Sequence, residues 1–429
     1  MDNKNINTIE KNWLNTIFCL YILSYVLPIG KIFNIPVQKI CICLFVAVSG
    51  YIFIKLDDWK SIIRTSKLEI VVLISGALWC VVSWLQGCEY SVECASLLYL
   101  SFIMFLIILH LIKENLLDLH KIMRCLFWMM LAKIIAKIIL EVIFLCKLIQ
   151  YEVLYQLYIQ IFNVEAIMMT MKLGSLTFVR VQSTSDILVI GLLPFFLLLP
   201  EIRRSKKFWL TVLLAIYTMI VYSRLYMVEF ASFMVLLLLF EWKYISKKVR
   251  YIGIGGAVLT SFIWFKPIFK IVQYRFFSAK VVESDSVRQI QIQELTKGIS
   301  EAPLFGHGMG SYLPNLIRST TAPFSYEAEY LSFLYQFGLI GFVMIILGII
   351  SVYIKEIWQY VKYNNIQIKL FTLLCLAWML ARPIFNPSFY GIQNGFYVIG
   401  LLLINAYFNI ENNNSKMVQV QDNLGAQIR

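Results

Sequence analysis

The sequence predicts an all-α integral membrane protein of about twelve transmembrane helices, and three observations carry that expectation. Hydrophobic residues make up 60% of the 429 and charged residues only 15%, against roughly a quarter charged in soluble domains. Apolar runs of span length recur along the whole chain, and the basic residues fall between them in an alternating pattern. A mean hydropathy of +0.74 is that of a multi-pass membrane protein, not of a soluble enzyme with one large core. The net charge of +13 would suit a nucleic-acid partner if it were clustered. It is dispersed between apolar runs, so no nucleic-acid partner is expected and the charge reads as loop anchoring.

A span needs about 20 apolar residues, fewer where it is kinked or the bilayer thins. On that measure the spans fall at 13–30, 36–54, 68–86, 95–112, 122–145, 186–200, 208–222, 225–242, 251–265, 329–354, 368–381 and 390–409. The first lacks a small-residue cleavage site and reads as an uncleaved anchor. The sixth is the shortest and contains Gly191 and Pro194. No internal repeat interrupts the series, so residues 1–429 form a single polytopic membrane domain. The polar end "ENNNSKMVQVQDNLGAQIR", residues 411–429, is expected to be an unstructured cytoplasmic tail.

Positive charge orients the map. With the N-terminus in the cytoplasm, every cytoplasmic segment is basic: Lys55, Lys60, Arg64 and Lys67 follow the second span, and Arg203, Arg204, Lys206 and Lys207 follow the sixth. The short outer loop "QGCEYSVEC" has no Lys or Arg. Both termini are then cytoplasmic. Two extracytoplasmic segments, 146–185 and the large loop 266–328, hold most of the outer positive charge, and long loops cross a membrane regardless of charge. The nine cysteines show no zinc-type spacing. Cys88 and Cys94 share one outer loop, where a disulfide and two separate thiols both fit.

The large loop has internal order. "SDSVRQIQIQELTKGI" reads as a short interfacial helix, N-capped by Asp285 or Ser286, with Val287, Ile290, Leu295 and Ile299 as its apolar stripe. Gly298 and Pro303 end it. "PLFGHGMGSY" follows at once. Alternating glycines let a ligand approach the backbone and can aim N–H groups at an anion. His307, at the centre, is the one histidine of three that falls outside; His110 and His120 fall on the cytoplasmic side. The plainer reading is a tight turn in which His307 caps a carbonyl.

Charged residues supply the remaining candidates. Arg180, Arg224, Arg275, Arg288, Arg318 and Arg382 lie outside or at the outer rim, and arginine suits bidentate phosphate recognition. Local carboxylates are the alternative partners, Glu229 for Arg224 and Glu283 for Arg288. Lys133, Lys137 and Glu141 share one face of the fifth span, either as a polar groove for a lipid-linked headgroup or as an internal Lys137–Glu141 pair. Glu327 and Glu329 stand at the entry of the tenth span, as a general base for a sugar hydroxyl or as rim carboxylates.

"RQIQIQELTKGISEAPLFGHGMGSY", followed by "EYLSFLYQFGLIGF", resembles the O-antigen polymerase and O-antigen ligase superfamily of bacterial polytopic membrane glycosyltransferases. Arg288, Pro303, Gly306, His307, Gly308, Gly310, Gly338 and Gly341 carry the likeness, with Arg224 in "YSRLY" and Arg180 ahead of the sixth span. The resemblance implies a GT-C-like helix bundle in the bacterial cytoplasmic (inner) membrane. It implies transfer of a glycan from undecaprenyl pyrophosphate to a hydroxyl acceptor on the outer face, without metal or other cofactor. The implied partners are the undecaprenyl-pyrophosphate-linked oligosaccharide, membrane lipids, a chain-length regulator and a flippase. The implied products are O-antigen, capsule or related surface glycans. In that scheme His307, Arg288 and Glu327 are catalytic: His307 accepts a proton or orients the acceptor, and Glu327 stands behind it. Arg180, Arg224 and the backbone at Gly306, Gly308 and Gly310 bind substrate. Ligases often show His-Asn where this chain has "YEAEYL", which favours a polymerase. A flippase or other transporter remains the reading of a different class, with Lys133, Lys137 and Glu141 for it and the long glycine-bearing loop against it.

Overall fold

In lipid an apolar run can satisfy its backbone polar groups within itself only as a helix, and helices are what these runs form. The computed structural model describes residues 6–427 apart from 28–34, 57–66, 163–166, 174–175, 201, 242–278, 318, 320–321, 387 and 390–391. In chain order the first helices are α1 (Thr8–Val26), α2 (Val37–Leu56), α3 (Lys67–Leu85), α4 (Ser91–Lys113), α5 (Leu119–Leu145) and α6 (Tyr151–Phe162). Strands β1 (Ile167–Leu173) and β2 (Leu176–Gln182) follow, then α7 (Asp186–Phe196), α8 (Arg204–Val221), α9 (Arg224–Glu241) and α10 (Ala279–Glu301). The last are α11 (Glu329–Gly341), α12 (Gly348–Val361), α13 (Ile366–Ala381) and α14 (Ile392–Gln427).

Eleven of the expected spans coincide with helices; the ninth, 251–265, lies outside the described residues. Among the described residues five helical stretches are long and apolar enough to cross a membrane: α2, α3, α4, the continuous run Glu329–Val361, and Ile366–Ile384. The five leave out α5, whose interior carries Lys133, Lys137 and Glu141. They also leave out α7, which at 11 residues is about 16 Å long, half the hydrocarbon thickness. Every residue of α7 is buried. It is a short helix enclosed by its neighbours, and it ends at Phe196, short of the limit of 200 expected for the sixth span.

The core is aromatic at its centre. α14 runs against α4, α5, α7 and α12, and Phe396 stacks on Tyr25 at 5.1 Å while Tyr21 stacks on Phe45 at 5.1 Å. The faces turned outward carry bare apolar residues such as Leu78, Trp84, Trp128 and Leu239, as a lipid-facing surface does.

Three expectations are corrected. The protein is not all-α: β1 and β2 pair antiparallel from Ile167↔Gln182 to Leu173↔Leu176. The alternation that makes the hairpin is visible in β2, where Val179 and Val181 are buried and Phe178 and Arg180 are only partly so. The long-loop helix begins at Ala279, so Asp285 and Ser286 lie within it rather than capping it, and it passes through Gly298 to Glu301. Of its expected stripe Leu295 and Ile299 pack with Tyr326 and Tyr335, while Val287 and Ile290 stay exposed. Finally, the polar 411–429 segment is helical through Gln427. Propagating a helix that the buried 396–408 stretch has already nucleated costs little per residue.

Candidate functional site

The glycine turn is built into the tenth span itself. Within α11, Gly338 has φ 61° and ψ −174°, which breaks the helical ladder. Leu339 and Ile340 would ordinarily donate to the carbonyls of Tyr335 and Gln336. Instead they donate to Pro303 and Leu304 at 2.9 and 3.1 Å, and the carbonyls of Tyr335 and Gln336 accept from His307 and Gly308 at 2.9 Å each. The turn thus replaces two helical hydrogen bonds with four of its own. Backbones must nearly touch for this: a Cβ on Gly306 would lie 2.4 Å from the Gly338 nitrogen, and one on Gly338 2.4 Å from Leu304.

Gly306, Gly308 and Gly310 all have positive φ (69°, 100° and 81°), as their spacing suggests, but the space they leave is filled by protein. A Cβ on Gly308 would meet the Cys88 sulfur at 2.6 Å and one on Gly310 the Tyr90 carbonyl carbon at 2.5 Å. The N–H groups of 306 to 311 are all engaged: Gly306 to Ala302, His307 and Gly308 to α11, Met309 to Ser83 Oγ, Gly310 to Gln336 Oε1, Ser311 to Gly308. The expected donor cradle for an anion at Gly306, Gly308 and Gly310 is therefore corrected to a backbone clamp. Cys88 donates to the His307 carbonyl and Cys94 to Gln336 Oε1; both are free thiols, so the optional Cys88–Cys94 disulfide is absent. Burial pushes the Cys88 thiol up, which keeps it a donor.

His307 Nε2 lies 2.8 Å from the Gly298 carbonyl. A carbonyl only accepts, so Nε2 carries a proton and donates it to Gly298. One ring face stacks on Tyr335 at 4.4 Å. This is the carbonyl-capping arrangement. Gly298 lies ten residues beyond Arg288 on α10, about 15 Å along the axis, so the catalytic grouping of His307 with Arg288 and Glu327 is not what the geometry holds.

Arg288 and Glu327 do come together. Arg288 Nη2 and Nε donate to Glu327 Oε2 at 2.9 and 3.1 Å. The side chains retain 20% and 17% exposure, so the pair is shielded but reachable. Glu283, the alternative partner, has its side chain outside the described set. Gln291, one turn from Arg288 and fully buried, accepts the Glu327 N–H at 3.0 Å; sequence reading passed it over because a lone Gln on a helix carries no pattern. Arg288 Nη2 also reaches the Phe385 carbonyl at 3.3 Å. Glu329 is buried and accepts from the N–H groups of Ser388 and Phe389 at 2.7 and 2.8 Å, so it is a structural anchor. Tyr326 accepts the Leu313 N–H at 2.7 Å, and burial pushes its phenol up to about 12.

Arg180 lies at another corner, against the end of α8 that precedes Arg224. Arg180, on β2, donates from Nε to the Val221 carbonyl at 3.2 Å and from Nη2 to Gln182; a cation suits that last carbonyl-rich turn of α8. Tyr222, with φ 47°, closes α8, and Arg224 opens α9 three residues after Val221. Arg275 and the side chain of Arg318 lie outside the described residues.

The fifth-span charges hold this corner in place. Lys133 and Lys137 both pair with Asp186, at 2.9 and 2.7 Å, and Lys137 also donates to the Val181 carbonyl at 2.9 Å. Glu141 accepts the Val179 N–H at 3.0 Å. The expected Lys137–Glu141 pair is thus replaced by a docking site for β2 and α7. Tyr217 donates to Asp186 at 2.7 Å. Likewise Glu229 pairs not with Arg224 but with buried Arg382. Among the described residues no group of three His, Cys, Asp or Glu gathers as metal ligands. A cavity of about 310 Å³, lined by His120, Arg124, Phe196 and Glu411 among others, lies elsewhere.

Comparison with known proteins agrees with this frame. Residues 209–346 match the O-antigen ligase family, a segment that holds Arg224, Arg288, the glycine turn, Glu327 and the α11 kink. Over that segment the likeness to the O-antigen polymerase and ligase superfamily stands, and it supports O-antigen polymerase or ligase activity in general. With its apolar helices the chain is a multi-pass membrane protein. No curated protein matches the chain.

Proposed function

We propose that the protein polymerises undecaprenyl-pyrophosphate-linked oligosaccharide repeat units for O-antigen or capsule at the outer face of the bacterial inner membrane. The observation that supports this best is the Arg288–Glu327 pair, half-shielded within the segment matching the O-antigen ligase family. An arginine neutralises a pyrophosphate leaving group, and a carboxylate accepts a hydroxyl proton. Here each occupies the other. An incoming pyrophosphate takes the Arg288 guanidinium, and Glu327 is released toward the acceptor hydroxyl. The acceptor oxygen then bonds to the sugar C1 and its proton passes to Glu327. The C1–O bond to pyrophosphate breaks, and its electron pair leaves with undecaprenyl pyrophosphate. Arg180 and Arg224 offer further cationic donors to the pyrophosphate. His307, tied to Gly298 and Tyr335, holds the clamp under α11. The arginines supply the charge that a metal would otherwise supply.

The second reading is a ligase, which the family description favours; "YEAEYL" in place of His-Asn speaks for the polymerase. Surface-glycan profiles of R288K, E327Q and R180K separate them. A polymerase defect leaves a single repeat unit on the acceptor and no ladder, with E327Q slowed about 10²-fold or more. Loss of every surface repeat unit identifies a ligase or a flippase. A full ladder in all three variants rejects the site.

A further inference from the structure

Arg382 enters the sequence reading only as one of several outer arginines, and the proposed chemistry makes no use of it. Its side chain is 1% exposed, and its partner Glu229 is fully buried. Arg382 Nη2 donates to Glu229 Oε1, and the guanidinium lies 4.3 Å over the Tyr397 ring. Arg382 Nε and Nη1 and Glu229 Oε2 find no partner among the described residues. A buried ion pair seldom repays its desolvation even when fully bonded, so this one is a poor source of stability.

What the pair does is hold a turn. Arg382 ends α13, and its carbonyl accepts from Phe385 and Asn386 at 2.9 and 3.0 Å. The Phe385 carbonyl in turn receives Arg288. Ser388 and Phe389 of the same turn hold Glu329, two residues after Glu327, and Tyr330 donates to the Leu380 carbonyl at 2.8 Å. Arg288, and Glu329 and Tyr330 just after Glu327, are thus hung on residues within 380–389, and Arg382 ties that stretch to α9.

We propose that the buried Glu229–Arg382 pair is a positioning device for the Arg288–Glu327 pair, acting through the 382–389 turn. This rests on the reading of Arg288 and Glu327 as the reacting site. Displacing reacting groups by about 1 Å can cost a hundredfold in rate, so a stiff turn at this place serves the reaction.

The test uses the full chain, in cells and purified in nanodiscs, with inorganic pyrophosphate as the probe. E229L/R382M removes both charges at similar volume, a change that buried pairs often tolerate. It is expected to accumulate with a parent-like melting temperature, to shorten the glycan ladder, and to weaken thermal protection by pyrophosphate about tenfold. In an R288K background the double change is expected to add nothing. A parent-like ladder and parent-like protection overturn the proposal, as does a loss that multiplies with that of R288K; the site reading survives both. An R288K protein with unchanged ladder and protection rejects the site reading, and the proposal with it. If E229L/R382M does not accumulate, R382K decides. It keeps the charge but not the planar guanidinium over Tyr397, and weakened pyrophosphate protection with a parent-like melting temperature is expected. Parent-like protection in R382K overturns the proposal.

Discussion

His307 is held on two sides, by the Gly298 carbonyl at 2.8 Å and by the Tyr335 ring, and this separates two roles that its sequence position leaves open. A clip needs only a donor toward Gly298; a base needs an imidazole. H307Q supplies a side-chain N–H of similar reach and is expected to keep most of the glycan ladder. H307A loses the bond, about 1 kcal/mol, and is expected to lower the amount of folded protein rather than the length of the ladder. Ladder loss in H307Q with normal protein level would return His307 to the chemistry. The same contrast shows what is legible in a sequence. Arg288 and Glu327 stand out separately, one as a loop arginine and the other as a carboxylate at a span entry. Their pairing across 39 positions does not stand out, because charge alone offers Arg288 the nearer Glu283. Lys133, Lys137 and Glu141 mislead for a related reason. Four-residue spacing reports only neighbours on one helix, whereas Asp186 and Val179 come from other elements.

At the scale of elements the most consequential feature is the exchange of hydrogen bonds between the 303–308 turn and the α11 kink. The need for small residues there is visible in "FGHGMG" and "FGLIGF"; that the two motifs serve each other is not, since periodicity carries no information about which backbone fills the space. G306A and G338A test the clamp. Each forces a side chain into positive φ, which costs about 1–3 kcal/mol, and each drives a Cβ to within 2.4 Å of backbone that cannot move away. Both variants are expected to fall well below the parent in melting temperature and membrane yield. G87A has positive φ but nothing within 4 Å of its Cβ, so it is expected to pay only the conformational part. Equal losses at all three positions would mean that backbone conformation alone sets the requirement. The β1–β2 hairpin is the element sequence reading passed over. Its seven-residue strands sit in a segment otherwise read as loop, and the buried alternation of Val179 and Val181 is short against the long apolar spans around it.

For the whole molecule, contacts sort the helix ends into two groups. Lys11 reaches the Asn115 carbonyl, Glu10 pairs with Lys55, Lys113 with Glu356, Lys355 with Glu69, and His120 with Glu411. Every one of these is assigned to the cytoplasmic side, or to the cytoplasmic end of a span, by the twelve-span map. Cys88 meets His307, Tyr90 meets Tyr312, and Arg288 meets Glu327 and Phe385, all assigned outside. Had the map slipped by one span anywhere between these points, residues from opposite faces would touch. The expected alternation makes a prediction about sidedness. In a cysteine-free background, single cysteines at Glu89, Tyr312 and Asn386 are expected to react with a membrane-impermeant maleimide in intact cells. Those at Asn115, Lys206 and Asn365 are expected to react only after the membrane is opened. Consecutive sites bracket between one and three expected spans, so the first site that reverses narrows the fault to those. Uniform reversal would leave the fold intact, turn the N-terminus outward, and place Arg288 and Glu327 on the side away from an outer-face acceptor. That result would end the polymerase reading while sparing the bundle.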